Sequence, residues 1–401
     1  MEYNDISAWV VASGQKFHKI SKVASLPNPV FRCEGREMVS FSSNNYLALA
    51  HDPRLIAAAH RGLDLFGVGN CESRLLGGDM DLYRDLEARL ANLKETETAL
   101  LFATGYLTNL GVLSSLPNAG MMARAYGFRP SKRLIYTYFS DESNHVSIRE
   151  GIRMSGAHKM TYRHGNMEDL EQKLKASKAD CKIIVTDGVF SMDGDIAPLP
   201  DLLRLADAYN TMVYVDDAHG TGVLGKDGGG TSEWFGVKSP RLISMGTLSK
   251  AYGAIGGFIA TDHYIADILR FTCSAYGFTS TLPPDQALAV FEAMDIVRDE
   301  PARRQRLWDN QRYLVTRLDE LGFQVMSRQS CIVPVMVGDE QICEACAHEL
   351  EANGFHVDAV VFPGVKMGKS RLRFTMNAHH TEEQIERMLD ILLSAGKAFR
   401  I

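Results

Sequence analysis

Three neighbouring segments, CKIIVTDGVF (181–190), LPDLLRLADAY (199–209) and TMVYVDDAHG (211–220), decide the fold. The first and third are runs of β-branched residues stopped by polar groups, and the segment between them reads as a helix. Strand, helix and strand in succession make a βαβ unit, which requires a parallel sheet. Upstream, DLYRDLEARLANLK (81–94) places Leu82, Leu86 and Leu90 at i, i+4 and i+8 and predicts a helix. TALLFAT (98–104) follows as a short buried strand, and GYLTNLGVLSSL (105–116) as the next helix. Downstream, RLISMGTLSK (241–250) and GAIGGFIA (253–260) predict a strand, a polar turn holding Lys250, and another strand.

After Pro283 and Pro284 one long helical stretch is expected over 285–322. It leads into a tail of different organisation: GFQVMSRQSCIVPVMVG (322–338), HELEANGFHVDAVV (348–361) and RLRFTMNAHHTEEQIERMLDILLSAG (371–396). The expected class is therefore α/β, with a mainly parallel sheet in a large domain and a smaller α+β C-terminal domain. The division reads as an N-terminal segment 1–50, a large domain 51–290 and a small domain 291–401.

Composition narrows what such a chain does. Its 401 residues, 45% hydrophobic and 23% charged, can bury a core shared between at least two domains. The net charge is −6 and the basic residues are scattered, which argues against a nucleic-acid footprint or a polybasic membrane patch. No apolar run is long enough to span a bilayer, and MEYNDISAWVVASGQ (1–15) lacks a signal-peptide pattern, so the expected location is the cytoplasm. Seven dispersed cysteines fit reduced thiols, six of them in packing roles, rather than a disulfide framework.

Open α/β sheets gather ligands beyond the carboxyl ends of their strands, and the unusual polar residues fall there. TGY (104–106) ends a strand and opens a helix, so the amides of Gly105 and Tyr106 face outward at a positive terminus suited to phosphate. DDAH (216–219) ends a second strand, and TLSK (247–250) follows a third. A lysine in GTLSKAYGAIGG (246–257) is either a solvated loop charge or an amine kept among small apolar neighbours because desolvation frees it as a nucleophile. A phosphate cradle, a buried carboxylate and an amine together meet the needs of pyridoxal 5′-phosphate (PLP).

The same segments resemble the α-oxoamine synthases, fold-type I PLP enzymes (the aspartate aminotransferase-like fold) that span 8-amino-7-oxononanoate synthases, 2-amino-3-ketobutyrate CoA ligases and serine palmitoyltransferases. The match runs through most of the chain: FSSNNYLAL (41–49), GVGNCESRLLGGDMDLYRDLEARLA (67–91), SDESNHVSIREGIRMSG (140–156), DGVFSMDGDIAPLPDLLRLAD (187–207), VDDAHGTGVLG (215–225), FTSTLPP (278–284) and the segments holding Gly105, Lys250 and Arg373. The resemblance implies decarboxylative condensation of an amino acid with an acyl thioester, on CoA or an acyl carrier protein, to give an α-aminoketone. An alternative within the family is cleavage of 2-amino-3-ketobutyrate with CoA to glycine and acetyl-CoA. A catalytically silent subunit is a third reading, opposed by the presence of Lys250.

Carried over by position, the resemblance makes Lys250 the Schiff-base lysine and proton-transfer group. Asp216 pairs with the pyridine nitrogen, His219 and Ser191 bond at or near the phenolic oxygen, and His145 stacks on the ring. Thr247 joins the Gly105 and Tyr106 amides at the phosphate. Thr279 and Ser280 reach the phosphate of a neighbouring subunit in a homodimer with shared sites. Arg373 clamps the amino-acid carboxylate, with Arg371 as the competing choice, and Asn44 and Ser73 line the pocket. Asp217 is assigned to structure.

Departures from the family pattern bear on substrate. Asn70, Cys71 and Glu72 replace a small step before the Ser–Arg pair, and Tyr83 stands where histidine is usual. Residues 118–142 form a longer link that adds Arg124, Arg129, Lys132 and Arg133, which face solvent or meet a phosphate of the acyl donor. No arginine precedes Arg32, and Lys16, Lys19 and Lys22 do not align with the one a relative uses. Two motifs mislead. GTGVLGKD (220–227) lacks the hydroxyl of a phosphate loop, and CEAC (343–346) near His348 has one cysteine pair on a helical face, so no metal is expected.

Overall fold

The computed structural model describes residues 2–13, 23–25, 28–129, 131–132 and 134–399. Its centre is a seven-stranded sheet in the order Thr98–Phe102, Gly257–Thr261, Leu242–Thr247, Met212–Asp216, Cys181–Asp187, Tyr136–Asp141, His158–Tyr162. All strands run the same way except Gly257–Thr261, which pairs antiparallel with both neighbours. Such a sheet is covered on both faces, and its side chains divide by the two-residue period of a strand. Tyr138, Ile183, Val185 and Tyr214 pack on one face with Val112 and Leu113 of helix Gly105–Ser115 and Ile148 of helix Val146–Ser155. Phe139, Ile184, Val213 and Val215 pack on the other with Leu170 and Leu174 of helix Met167–Ala176 and Leu202 and Leu205 of helix Leu199–Ala208.

The helix expected over 285–322 is two helices, Pro284–Asp299 and Pro301–Glu320. Pro301 explains the break, because it has no amide hydrogen to continue the ladder yet suits the first position of a new helix. Residue 290 lies inside the first of these, which packs along helix Pro53–Phe66. The strand expected from residue 253 begins at Gly257 instead. Gly253 and Gly256, at φ of +65° and +136°, bend the chain in a turn that ordinary side chains disfavour.

The tail forms a three-stranded antiparallel sheet, Ile332–Gly338, Ser370–Thr375 and Asp358–Val360, with helices Glu340–Ala352 and Glu382–Phe399. The early strands Val30–Cys33 and Arg36–Ser40 pair with each other, and the second adds Phe355–His356 of the tail in parallel. Further bonds tie the start of the chain to its end: Thr375 N donates to Phe41 O across 2.5 Å, and Ala378 N to Tyr46 O across 2.8 Å.

All seven cysteines are unpaired. Cys343 and Cys346 belong to the apolar core, and no group of three or more metal-ligating side chains occurs among the described residues. No helix among the described residues is long and apolar enough to cross a membrane.

Candidate active site

Adjacent parallel strands end in register, with Asp187 opposite Asp216 and Asp216 opposite Met245, so several functional side chains converge at one edge of the sheet. There they line a cavity of about 250 Å³ that includes Gly105, His145, Asp216, His219, Thr247 and Lys250. Tyr106 and Ser191 also border it.

Lys250 Nζ lies 2.8 Å from His219 Nε2. Burial, opposed by the charges of Asp216 and Asp187, lowers the lysine to about 8, so near neutral pH a useful fraction is a free amine. Burial and the nearby Lys250 push His219 well down, which leaves its ring neutral. Burial likewise lowers His145, whose Nδ1 meets Ser147 Oγ at 2.7 Å.

Asp216 is held by Asn109, whose Nδ2 donates across 2.6 Å, and by the Ala218 amide at 3.1 Å. Asn109 is itself fixed, because Tyr214 Oη donates to its oxygen across 2.7 Å. Asp187 is fully buried, and burial together with the charge of Asp216 raises it well above the usual carboxylate range. A second clamp holds the loops on either side: His164 Nδ1 is 3.0 Å from Asp141 and its Nε2 is 3.1 Å from Asp195. Burial opposes charge on this ring, yet the two carboxylates outweigh it and raise His164 to about 10.

Of the two tail arginines, Arg373 Nε donates to the Ser191 carbonyl across 2.5 Å, and its charge is felt by Lys250, His219 and Tyr46. Arg373 Nη1 also lies 3.5 Å from Asp358 Oδ2, while Arg371 pairs with Asp193 Oδ1 at 2.6 Å and donates to Met192 O at 3.0 Å. Asn44 enters through Tyr46, whose hydroxyl donates to Asn44 Oδ1 across 3.1 Å and meets His219 Nδ1 at 2.5 Å.

The aminotransferase class I and II family matches residues 36–392. A curated relative, 8-amino-7-oxononanoate synthase 1 of Bacillus velezensis, is 39% identical over 386 residues, covering 96% of this chain and 95% of that protein. A solved serine palmitoyltransferase from S. paucimobilis, with bound PLP and myriocin, gives a TM-score of 0.88 at 29% identity over 100% of this chain and 98% of that one. The chain is an α-oxoamine synthase. A further solved relative, 8-amino-7-oxononanoate synthase from Francisella tularensis, gives a TM-score of 0.75 at 26% identity over 91% of this chain and 99% of that one.

The synthase uses PLP to condense an amino acid with an acyl thioester, releasing CO2 and free thiol. Its residues fit that cofactor. Amine, carboxylate and imidazole surround one cavity, and the helix that opens at Gly105 presents its first amides toward it. Gly105 itself leaves the needed room: a Cβ there meets Thr247 Cβ and Oγ1 at 3.1 Å.

The synthase brings together most of the residues expected from sequence, but not all: Asn44 and Arg373 stand outside the cavity lining and connect to it through Tyr46 and His219 and through Ser191. Ser73 precedes the turn Arg74–Leu76 outside the cavity lining, with a buried hydroxyl that no described group satisfies. Thr279 and Ser280 are also outside that lining, on a half-exposed loop beside the exposed Phe278. Tyr83 is buried and donates to the Leu282 carbonyl at 3.0 Å, while Cys71 is exposed. Within the 118–142 link, Arg124 and Arg129 are exposed, and Lys132 pairs with Asp180 at 2.5 Å. They lie before the start of strand Tyr136–Asp141, whose far end reaches the site. Arg133 and Lys16, Lys19 and Lys22 lie outside the described residues.

Sequence reasoning missed Tyr46, Asn109, Asp187 and His164. Tyr46 and Asp187 stood inside quoted motifs, and a second carboxylate ending a strand beside Asp216 was a usable signal. Asn109 also stood inside a quoted segment, GYLTNLGVLSSL, with nothing local to link it to Asp216, and His164 lay outside every quoted segment.

Proposed function

We propose that this synthase joins alanine to a pimeloyl thioester and releases 8-amino-7-oxononanoate. The name of the relative at 39% identity supports this choice. In that nine-carbon product, carbons 8 and 9 with the amine are what remains of alanine after CO2 leaves. Carbons 1 to 7, ending in a carboxylate, are the pimeloyl group. The contact of Lys250 Nζ with His219 Nε2 at 2.8 Å, in a cavity that also holds Asp216, carries the reaction class, and the name of that relative carries the choice of substrates.

Bound there, PLP supplies an electron sink for charge at the substrate α-carbon. Lys250 holds the cofactor and moves the α-proton through Nζ. Asp216 faces the pyridine nitrogen, His219 and Ser191 face the phenolic oxygen, and His145 covers the ring. The Gly105 and Tyr106 amides and Thr247 take the phosphate. Arg373 orients the amino-acid carboxylate with Asn44 beside it, while Ser73, expected there from the family resemblance, stands outside the cavity lining of its own copy. The α-carbon bonds to the acyl carbon as the C–S bond breaks and the thiol departs, and the carboxylate then leaves as CO2 with a proton taking its place. The working form is a cytoplasmic homodimer in which Thr279 and Ser280 complete the neighbour's phosphate site. Within each copy, residues 1–50 are an N-terminal segment, 51–290 the large PLP-binding domain and 291–401 the small C-terminal domain.

Product mass spectrometry tests the assignment with alanine and pimeloyl-CoA or pimeloyl carrier protein. Serine with palmitoyl-CoA and glycine with acetyl-CoA serve as competing pairs. The expected result is the aminoketone with free thiol from alanine and a pimeloyl donor. Preference for the serine pair, which the solved structure from S. paucimobilis recommends as the second reading, overturns it. Preference for glycine and acetyl-CoA assigns the ligase reaction instead.

A further inference from the structure

Four side chains form a directed chain that ends on the cofactor lysine. Tyr46 is fully buried, with Oη 2.5 Å from His219 Nδ1 and 3.1 Å from Asn44 Oδ1. The other nitrogen of the same ring, Nε2, lies 2.8 Å from Lys250 Nζ. An amide oxygen accepts and does not donate, so the Tyr46 hydroxyl hydrogen points to Asn44. Its oxygen then accepts from His219 Nδ1–H, and Nε2 is left as the acceptor facing Lys250.

A different polarity is needed once cofactor is bound. On the roles proposed above, His219 faces a phenolic oxygen, which calls for a donor at Nε2. A phenol is the one group in the chain that can reverse without moving its ring, because its oxygen accepts and its hydrogen donates. In that change Nε2 takes a proton from Lys250 as the lysine becomes the free amine, Nδ1 releases its own proton to solvent water, and the Tyr46 hydroxyl rotates to donate to the bared Nδ1. We infer that Tyr46 is a positioning residue that lets His219 change tautomer, carrying its proton on Nδ1 before cofactor binds and on Nε2 afterwards.

The surroundings make this a matter of tautomer rather than charge. His219 faces Lys250, Arg373 and His145, all of which disfavour a second proton on it. Tyr46 faces Cys331 and Arg373, and burial holds its phenol protonated. Lys250 faces Asp216, Asp187, Arg373 and Cys331.

The inference rests on the proposed placement of His219, and its test is separate from turnover. Ring-¹⁵N-histidine spectra of the full chain report which nitrogen bears the proton, with the His219 signal assigned by its loss in His219→Gln. The wild-type protein is expected to show Nδ1–H without PLP and Nε2–H with it. Tyr46→Phe is expected to show one tautomer in both states while retaining its circular dichroism. Asn44→Ala keeps the phenol, so it is expected to lose the Nδ1–H preference without cofactor but still reach Nε2–H with it. An unchanged wild-type tautomer on adding PLP overturns the inference, as does a Tyr46→Phe protein that still switches. If Tyr46→Phe does not fold, the wild-type and Asn44→Ala spectra decide the matter. A protein that binds PLP and turns over without the switch leaves the functional assignment intact and removes only this role for Tyr46.

Discussion

Lys94 Nζ lies 2.6 Å from Asp217 Oδ2, and both side chains are sealed from water. Asp217 also accepts from the amide of Thr231 at 2.9 Å and from its hydroxyl at 2.5 Å, so its charge is fully committed. Because Asp217 follows Asp216 directly, this cluster fixes the strand end that carries Asp216. Removing one member of a buried pair strands the other charge, at a cost of about 3–5 kcal/mol. Lys94→Met is therefore expected to lower the denaturant midpoint strongly and to reduce PLP content. Unfolding at wild-type denaturant would show that the pair holds nothing in place.

Lys250→Ala is expected to keep the fold and lose both turnover and covalent capture of PLP. Its side chain faces the cavity, and the neighbouring core is built by Leu248, Ala251 and Tyr252 instead. Borohydride treatment followed by peptide mass spectrometry checks the capture, and a labelled peptide in the variant would relocate the lysine role.

Arg373 and Arg371 make opposite predictions. Arg373 shares its surroundings with Lys250, whereas Arg371 is spent on Asp193. Loss of a charge-assisted bidentate contact costs a few kcal/mol, so Arg373→Ala should raise the amino-acid concentration for half-saturation by roughly 10²-fold or more. Arg373→Lys should recover little, since a point charge does not reproduce a planar fork. Arg371→Ala should change stability more than saturation. Spectral titration with amino acid separates the two, and a large shift confined to Arg371→Ala would reassign the clamp.

Capture of PLP should accelerate as pH rises through about 8 and level off above it, because burial brings Lys250 to that value and the neutral amine is the reactive form. Stopped-flow mixing of the cofactor-free chain with PLP across this range tests it. A rate still climbing toward pH 10 would show that the lysine keeps the basicity of an exposed side chain.

His164 makes a prediction about stability. Its folded value is raised from 6.5 to about 10 by Asp141 and Asp195. The stabilisation is thus fully present below pH 6.5 and is lost as pH rises through about 10. The difference in unfolding free energy between wild type and His164→Gln should shrink across that window. A difference that stays constant with pH would remove the charged imidazole from the account.

Local periodicity located part of the large domain and missed strands Tyr136–Asp141 and His158–Tyr162 and helices Pro53–Phe66, Val146–Ser155, Met167–Ala176 and His263–Thr272. Helix 81–94 and the βαβ unit follow directly from leucine spacing and β-branched runs, and they bring Asp216 and Lys250 to one sheet edge. The helix break at Pro301 was visible in principle, but amphipathic character continues across it. Contacts between distant segments were not legible. Tyr46 is 173 residues from His219, and Asn109 is 107 from Asp216, so no local pattern encodes either bond. Ser73, Thr279 and Ser280 rest on the family resemblance alone, since nothing in their own chain draws them into the cavity.

The parallel pairing of Arg36–Ser40 with Phe355–His356 also sets an order of events during synthesis. Ser42 and His356, which bond across this junction, are 314 residues apart. At about 5–20 residues per second, a ribosome needs roughly 15–60 s to make the partner of a strand that has already emerged. The large sheet is complete in the nascent chain by Thr261, well before that partner exists. The strand that leads to Asn44 and Tyr46, paired on one side with Val30–Cys33, therefore waits with its other edge open to other chains until the last part of the protein arrives.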